Sequence, residues 1–208
     1  MAPRFDSTWV SSVCEIGPRP LLMQGCLRNW LIGHFQKANL EDPDQTIQKM
    51  LWKADATTGI QIESNTRYVP ELTELRPAVI LKRGAWRRVR LGIADRMLGY
   101  TEIEGQEAYA NLWQGSHTLF CIANKGGEVE KLAAEVYREM NEFAPAYREV
   151  LNLMRFEVTE VGEIMILEEA RQNFVVPVVV GYAFMEQWRL NREVPVARSV
   201  DVSGFFQP

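Results

Sequence analysis

The sequence predicts an α+β domain: a mixed or antiparallel sheet with an amphipathic helix packed across one face. Three observations within residues 116–188 carry that expectation. Thr118-Leu119-Phe120-Cys121-Ile122-Ala123 is a short apolar run, closed by the turn signal Asn124-Lys125-Gly126-Gly127. Val129, Leu132, Ala133, Val136, Tyr137, Met140 and Phe143 then recur at three- and four-residue steps, which puts them on one stripe of a helix. Phe174 to Phe184 is too rich in β-branched residues for a helix and reads as a long buried strand.

On that helix Glu130, Lys131, Glu135, Arg138 and Glu139 are expected to face water. Pro145 lacks the N–H that would bond to residue 141, so the helix either kinks there or a second one begins. The period resumes with Tyr147, Val150, Leu151 and Met154, and Arg155 to Val161 follows as a strand of mixed polarity. Upstream, Gly17-Pro18-Arg19-Pro20 ends an N-terminal leader, residues 1–20, and Leu21, Leu22, Leu27, Trp30, Leu31 and Phe35 support a first helix. Asp44 is placed to cap a short second helix carrying Ile47, Met50 and Leu51, within an insert at 41–70. Ile60 and Ile62 alternate as a brief strand, and Pro70 and Pro77 bracket an extended connection.

Ala78-Val79-Ile80-Leu81 is a strand that runs into the most unusual composition in the chain. Lys82, Arg83, Arg87, Arg88 and Arg90, with Trp86 among them, give five cations and no acid. Residues 84–115 are expected to form a long projecting loop or β-hairpin, and a connection of that length in a small domain is commonly functional. Beyond the core domain, residues 21–188, the chain ends in an arm, 189–208. Its Val194/Val196 and Val200/Val202 pairs and terminal Phe205 and Phe206 are apolar enough to fill a groove or complete a sheet on a neighbouring subunit.

With 208 residues the chain suits one domain with extensions. A net charge of −4 sets up no global field for nucleic acid or an anionic membrane. Three separated cysteines, Cys14, Cys26 and Cys121, predict a reduced environment rather than a disulfide framework. The N-terminus lacks a signal-peptide core, and no apolar run approaches the ~20 residues that span a bilayer, so a soluble protein is expected.

The search for chemistry returns no catalytic, metal-binding or cofactor-binding set. His34 borders the apolar face of the first helix and reads as a packed or surface side chain. His117 and Cys121 share a strand face but lie ~13 Å apart, too far for proton transfer. No clustered His/Cys ligands, P-loop or dinucleotide fingerprint occurs. Glu157, Glu160, Glu163, Glu168 and Glu169 read as solvated faces rather than acid–base pairs. No enzyme is expected. The basic cluster around Trp86 remains, either as a contact to an acidic protein surface, as a site for DNA phosphates, or as a solvated hairpin.

In the order and character of its elements, the stretch from Ser116 to Trp188 resembles the tail terminators of tailed bacteriophages, of the phage-lambda kind. The resemblance rests on the apolar strand, the Glu-rich helix broken at Phe143-Ala144-Pro145-Ala146, the mixed strand, and the closing Phe-Val-Val-Pro-Val-Val-Val-Gly-Tyr-Ala-Phe run. The strand at 78–81 and the helix at 21–35 extend it across the core, with the leader, the insert and the arm as additions. It implies a virion structural protein, assembled in the host cytoplasm, that forms a homohexameric ring at the head–tail neck. Its implied partners are the tail tube protein and the head-completion proteins, with genomic DNA in the lumen as a further contact and no membrane. A head-closure or tail-completion factor of related fold, or a nucleic-acid-binding module, are the other readings. For a ring, an apolar strand interrupted by Pro177 suggests a sheet edge covered by the neighbouring copy, and Val200, Val202, Phe205 and Phe206 suggest an inter-subunit arm.

Overall fold

The computed structural model describes residues 20–41, 50–53, 59–67, 76–90, 97–101, 106–167 and 173–191. The fold is α+β, with helices laid across one face of a mixed sheet. The elements are α1 (Pro20–Glu41), β1 (Gln61–Ser64), β2 (Ala78–Val89), β3 (Met97–Thr101), β4 (Gln106–Ala123), α2 (Gly126–Glu142), α3 (Ala144–Val150), β5 (Arg155–Val161), β6 (Met165–Ile166) and β7 (Phe174–Asn191). The chain divides into a larger unit, 17–89 and 112–185, and a smaller one, 1–16, 90–111 and 186–208.

In the larger unit the strand order is β1-β2-β4-β7-β5, with β6 also on β7. β1 runs parallel to β2, while the β2–β4, β5–β7 and β6–β7 pairs are antiparallel. α1 packs on β1 and β2, and α2 and α3 on β5. The core lies between this helical layer and the sheet. Met23, Leu27, Leu31 and Phe35 come from α1, Val129, Leu132, Val136 and Met140 from α2, and Val79, Leu81, Leu119, Cys121, Val178, Val180 and Phe184 from the sheet. The i, i+4 spacing on α1 gives one narrow buried stripe, so Leu21 and Leu22, expected inside, are exposed. Tyr137 and Phe143 likewise lie at the solvent margin of the α2 stripe. Near the start of β2 the opposite sheet face buries a smaller cluster, Ala78, Ile80, Ile122 and Val175. That is why all four residues of the Ala78–Leu81 run are apolar.

Pro145 starts a new helix rather than kinking the old one: α2 ends at Glu142 and Pro145 occupies the first turn of α3. Asn152, at φ 50°, closes α3. Leu153 N–H donates to the Arg148 carbonyl at 2.8 Å and Asn152 N–H to that of Glu149 at 3.3 Å, a Schellman closure that asparagine tolerates in the left-handed region. Met154 N–H then donates to the Ala183 carbonyl at 2.8 Å, and β5 is registered on β7 from its first residue.

The smaller unit is described at β3, the first residues of β4 and the last of β7; β3 pairs antiparallel with β4 from Met97↔Tyr109 to Thr101↔Gln106. Of the expected 1–20 leader, residues 1–19 lie outside the described residues and Pro20 instead begins α1. Most of the insert with Asp44 and Ile47, and the arm beyond Asn191 with Val200, Val202, Phe205 and Phe206, also lie outside them, while Met50 and Leu51, expected on the second helix, form a turn and an irregular segment.

Candidate functional site

The basic cluster is strand, not loop. β2 continues without interruption through Val89 and pairs with β4 down to Val89↔Leu112, so the hairpin alternative replaces the projecting loop over these residues. Alternation then divides the cations. Arg83↔His117, Trp86↔Gly115 and Arg88↔Trp113 share the helix-side face, whereas Lys82↔Thr118 and Arg87↔Gln114 belong to the other. Keeping Arg83 and Trp86 on one face requires the extra residue of a bulge between them. Gly84 makes it fit: a Cβ there would stand 2.2 Å from Ser116 Oγ and 2.9 Å from the Ser116 carbonyl oxygen. Arg90, just past the strand, is exposed. One contiguous patch is therefore corrected to two pairs on opposite faces, Lys82 with Arg87 and Arg83 with Arg88, and Arg90 beyond the strand. Trp86 is anchored by rings, with centroids 4.8 Å from Trp113 and 5.6 Å from Phe184, and keeps 38% of its surface exposed.

Pro177 is also corrected. β7 lies between β4 on one side and β5 and β6 on the other, so it is not an edge strand. The proline is tolerated because the partner changes there: β5 pairs with Val178 through Ala183, and β6 with Phe174 and Val175. Its carbonyl still accepts from Gly162 N–H at 2.8 Å. β5 is one of the two outer strands of the order; Val161 at its end, Ile164 in the following turn, and Met165 and Ile166 of β6 are exposed.

On the sheet face away from the helices, Gln114, Ser116, Arg155, Glu157, Thr159 and Gly181 line an open concavity of about 210 Å³. Arg155 donates to Glu157, and Thr159 Oγ1 donates to the Val179 carbonyl at 3.2 Å. The guanidinium beside it holds the Glu157 carboxyl below its usual range. The groove thus offers a neutralised ion pair and hydroxyls rather than an acid–base pair.

Cys121 and His117 do share the helix-side face, but both are inert. Burial raises the Cys121 thiol far above its ordinary range. His117 is fully buried, lies against Tyr182 with centroids 5.6 Å apart, and has no well-formed hydrogen bond at either nitrogen. Burial pushes its pKa down to about 4; the Pro20 backbone opposes that shift and the Arg83 charge adds to it.

The group that the periodicity missed is ionic and buried. Glu135 and Glu139, expected to face water, are 4% and 7% exposed. His34 Nε2 stands 2.6 Å from Glu135 Oε1, and His34 Nδ1 stands 2.8 Å from Glu139 Oε2. Arg138 donates to Glu135 Oε1 at 2.6 Å, and Tyr147 Oη donates to Glu139 Oε1 at 2.7 Å. The Tyr147 ring stacks on Trp30 with centroids 4.0 Å apart. Burial alone would lower the His34 pKa, but hydrogen bonds and charge from Glu135 and Glu139 outweigh it and raise the value to about 9. One signal was present in the sequence: Trp30 and His34 on α1, and Glu135 and Glu139 on α2, are each four apart and so each share a helix face.

Among the described residues no three His, Cys, Asp or Glu side chains are grouped to hold a metal ion, and no helix there is long and apolar enough to cross a membrane. Compared with models of protein families and with curated proteins, the chain matches none.

Proposed function

We propose that the protein is a structural component of a tailed-phage neck: a tail terminator that forms a homohexameric ring, caps the tail tube protein and offers its other surface to head-completion proteins. The observation that carries this reading is the exposed apolar margin of the sheet at β5 and β6. Val161 at the end of β5, Ile164 in the β5–β6 turn, and Met165 and Ile166 on β6 are 42–61% exposed. Contiguous apolar residues at a sheet margin mark a surface that another chain covers. The helix-covered mixed sheet agrees with the layout that the Ser116–Trp188 resemblance implies. The buried charges are spent on one another, which suits a protein that works through surface complementarity rather than turnover. Around a closed ring each weak contact is repeated by symmetry, so valency multiplies a modest affinity.

In this reading the protein assembles in the host cytoplasm and resides in the virion neck. Native mass spectrometry of the full chain, with cryo-electron microscopy of necks from particles that carry it, tests it. A six-fold ring on the tube is expected. Monomers alone, another symmetry, or absence from the neck would overturn it.

A further inference from the structure

We propose that His34 is a proton-dependent latch that fastens α1 to α2, holding as an imidazolium that donates from both ring nitrogens and releasing when one of those protons is lost. The proposal stands apart from the neck reading and needs only the folded chain.

The geometry sets the protonation state. Nε2 faces one carboxylate at 2.6 Å and Nδ1 faces another at 2.8 Å. A carboxylate only accepts, and a neutral imidazole carries one N–H, so two such contacts need a proton on each nitrogen. The groups facing the ring are Glu135 and Glu139 from α2, with Arg138 on Glu135, and Tyr147 from α3 on Glu139. From α1 itself Phe35 meets the imidazole edge-on with centroids 5.1 Å apart. Two cations and two carboxylates balance, and Tyr147 stays neutral because burial and Glu139 both raise its pKa. The two carboxylates approach different nitrogens, which is the arrangement of a bridging cation and not of ligands converging on a metal.

Removing one ring proton leaves a nitrogen lone pair against a buried carboxylate, beside an imidazole only 11% exposed. Other polar ties of α1 run to elements other than α2: Gln24 donates to the Leu81 carbonyl on β2 at 2.9 Å, Arg28 pairs with Glu63 on β1 at 2.8 Å, and the Phe35 carbonyl accepts from Trp52 N–H at 3.3 Å. The half around Leu31 and Phe35 should therefore loosen from α2 first. The chain's only other histidine, His117, is buried without an acidic partner and cannot substitute.

Side-chain nitrogen NMR and amide exchange on the full-length protein test this. At pH 7.5 both His34 ring nitrogens should carry protons. Between pH 7.5 and 10, after correction for intrinsic base catalysis, amides of residues 29–35 should lose about tenfold protection or more, while those of 176–184 keep theirs. Glu139→Gln removes one of the two charges facing the ring and should move that loss down by about one pH unit. A single ring proton on wild-type His34 at pH 7.5, or α1 and β7 loosening together at one pH, would overturn the latch. The wild-type measurements decide the matter even if the variant does not fold.

Discussion

The ring of Tyr182 lies over Gly115 on the neighbouring strand, so close that a Cβ on residue 115 would stand 2.6 Å from Tyr182 Cζ and Oη. Tyr182 cannot yield easily, because it is buried and stacked on buried His117. Gly115→Ala should cost about 1–3 kcal/mol, read as a lower urea midpoint with an unchanged slope. Gly127→Ala, in the first turn of α2 with open space around it, is the control and should be neutral or stabilising by up to about 1 kcal/mol. Equal destabilisation by both substitutions would show that the Tyr182 contact is not the cause.

The two histidines should limit stability from opposite sides. The His117 pKa is depressed to about 4 by burial, below its ordinary value of 6.5. The unfolded chain therefore takes up the proton first, and this contribution, up to about 3 kcal/mol, is complete above pH 6.5 and lost as pH falls toward 4. The His34 pKa is raised to about 9, so its contribution is complete below pH 6.5 and lost as pH rises through 9. With partial solvation it is worth roughly 1–2 kcal/mol. Urea midpoints from pH 4 to 10 should form a dome. His117→Leu should flatten only its acid limb and His34→Gln only its alkaline one.

Tyr147→Phe keeps the ring that stacks on Trp30 and removes the hydroxyl that donates to Glu139. The buried carboxylate then loses the donor at Oε1 and keeps only His34 at Oε2, and a loss of about 1–2 kcal/mol is expected in equilibrium unfolding. A change under about 0.3 kcal/mol would mean that solvent replaces the hydroxyl there.

Replacing Arg87, Arg88 and Arg90 with alanine should leave stability nearly intact, within about 0.5 kcal/mol for the exposed Arg87 and Arg90. In the proposed role it should still lower the yield of infectious particles. If DNA is the partner, the purified protein binds duplex with an affinity that falls steeply as salt rises. If the partner is an acidic protein surface, duplex binding is negligible and charge changes on that surface rescue the triple variant. Because Lys82 and Arg87 share a face that Arg83 and Arg88 do not, the pairs Lys82→Ala/Arg87→Ala and Arg83→Ala/Arg88→Ala should differ in effect. Unchanged titre in all variants would leave the strand a solvated one.

Deleting residues 195–208 removes Val200, Val202, Phe205 and Phe206, the apolar side chains proposed to dock on a neighbouring copy. The truncated monomer should unfold at the same urea concentration as the full chain, while the hexamer peak in native mass spectra shrinks. A full hexamer yield would end the arm's role in assembly.

Local pattern by itself determined a good part of this molecule. The mixed run Arg155–Val161 is β5 at both ends, the three- and four-residue steps on α2 bury Val129, Leu132, Val136 and Met140, and Pro145 opens a new helix as its missing N–H requires. These features depend on neighbours within a few residues, so a single strand or helix period reveals them. Tertiary structure decided what depends on distant partners. Glu135 and Glu139 read as water-facing because a charge is stable inside only when something far along the chain answers it, and His34 stands 101 residues from Glu135. Pro177 reads as an edge signal, yet it sits inside the sheet where β5 gives way to β6, a junction set by strand order. The cations around Trp86 are close in sequence, but pleat and bulge send Lys82 and Arg87 to one face and Arg83 and Arg88 to the other. The sequence determined which residues are apolar and at what period; the pairing of strands and the meeting of helices decided which polar ones could be buried and which way they face.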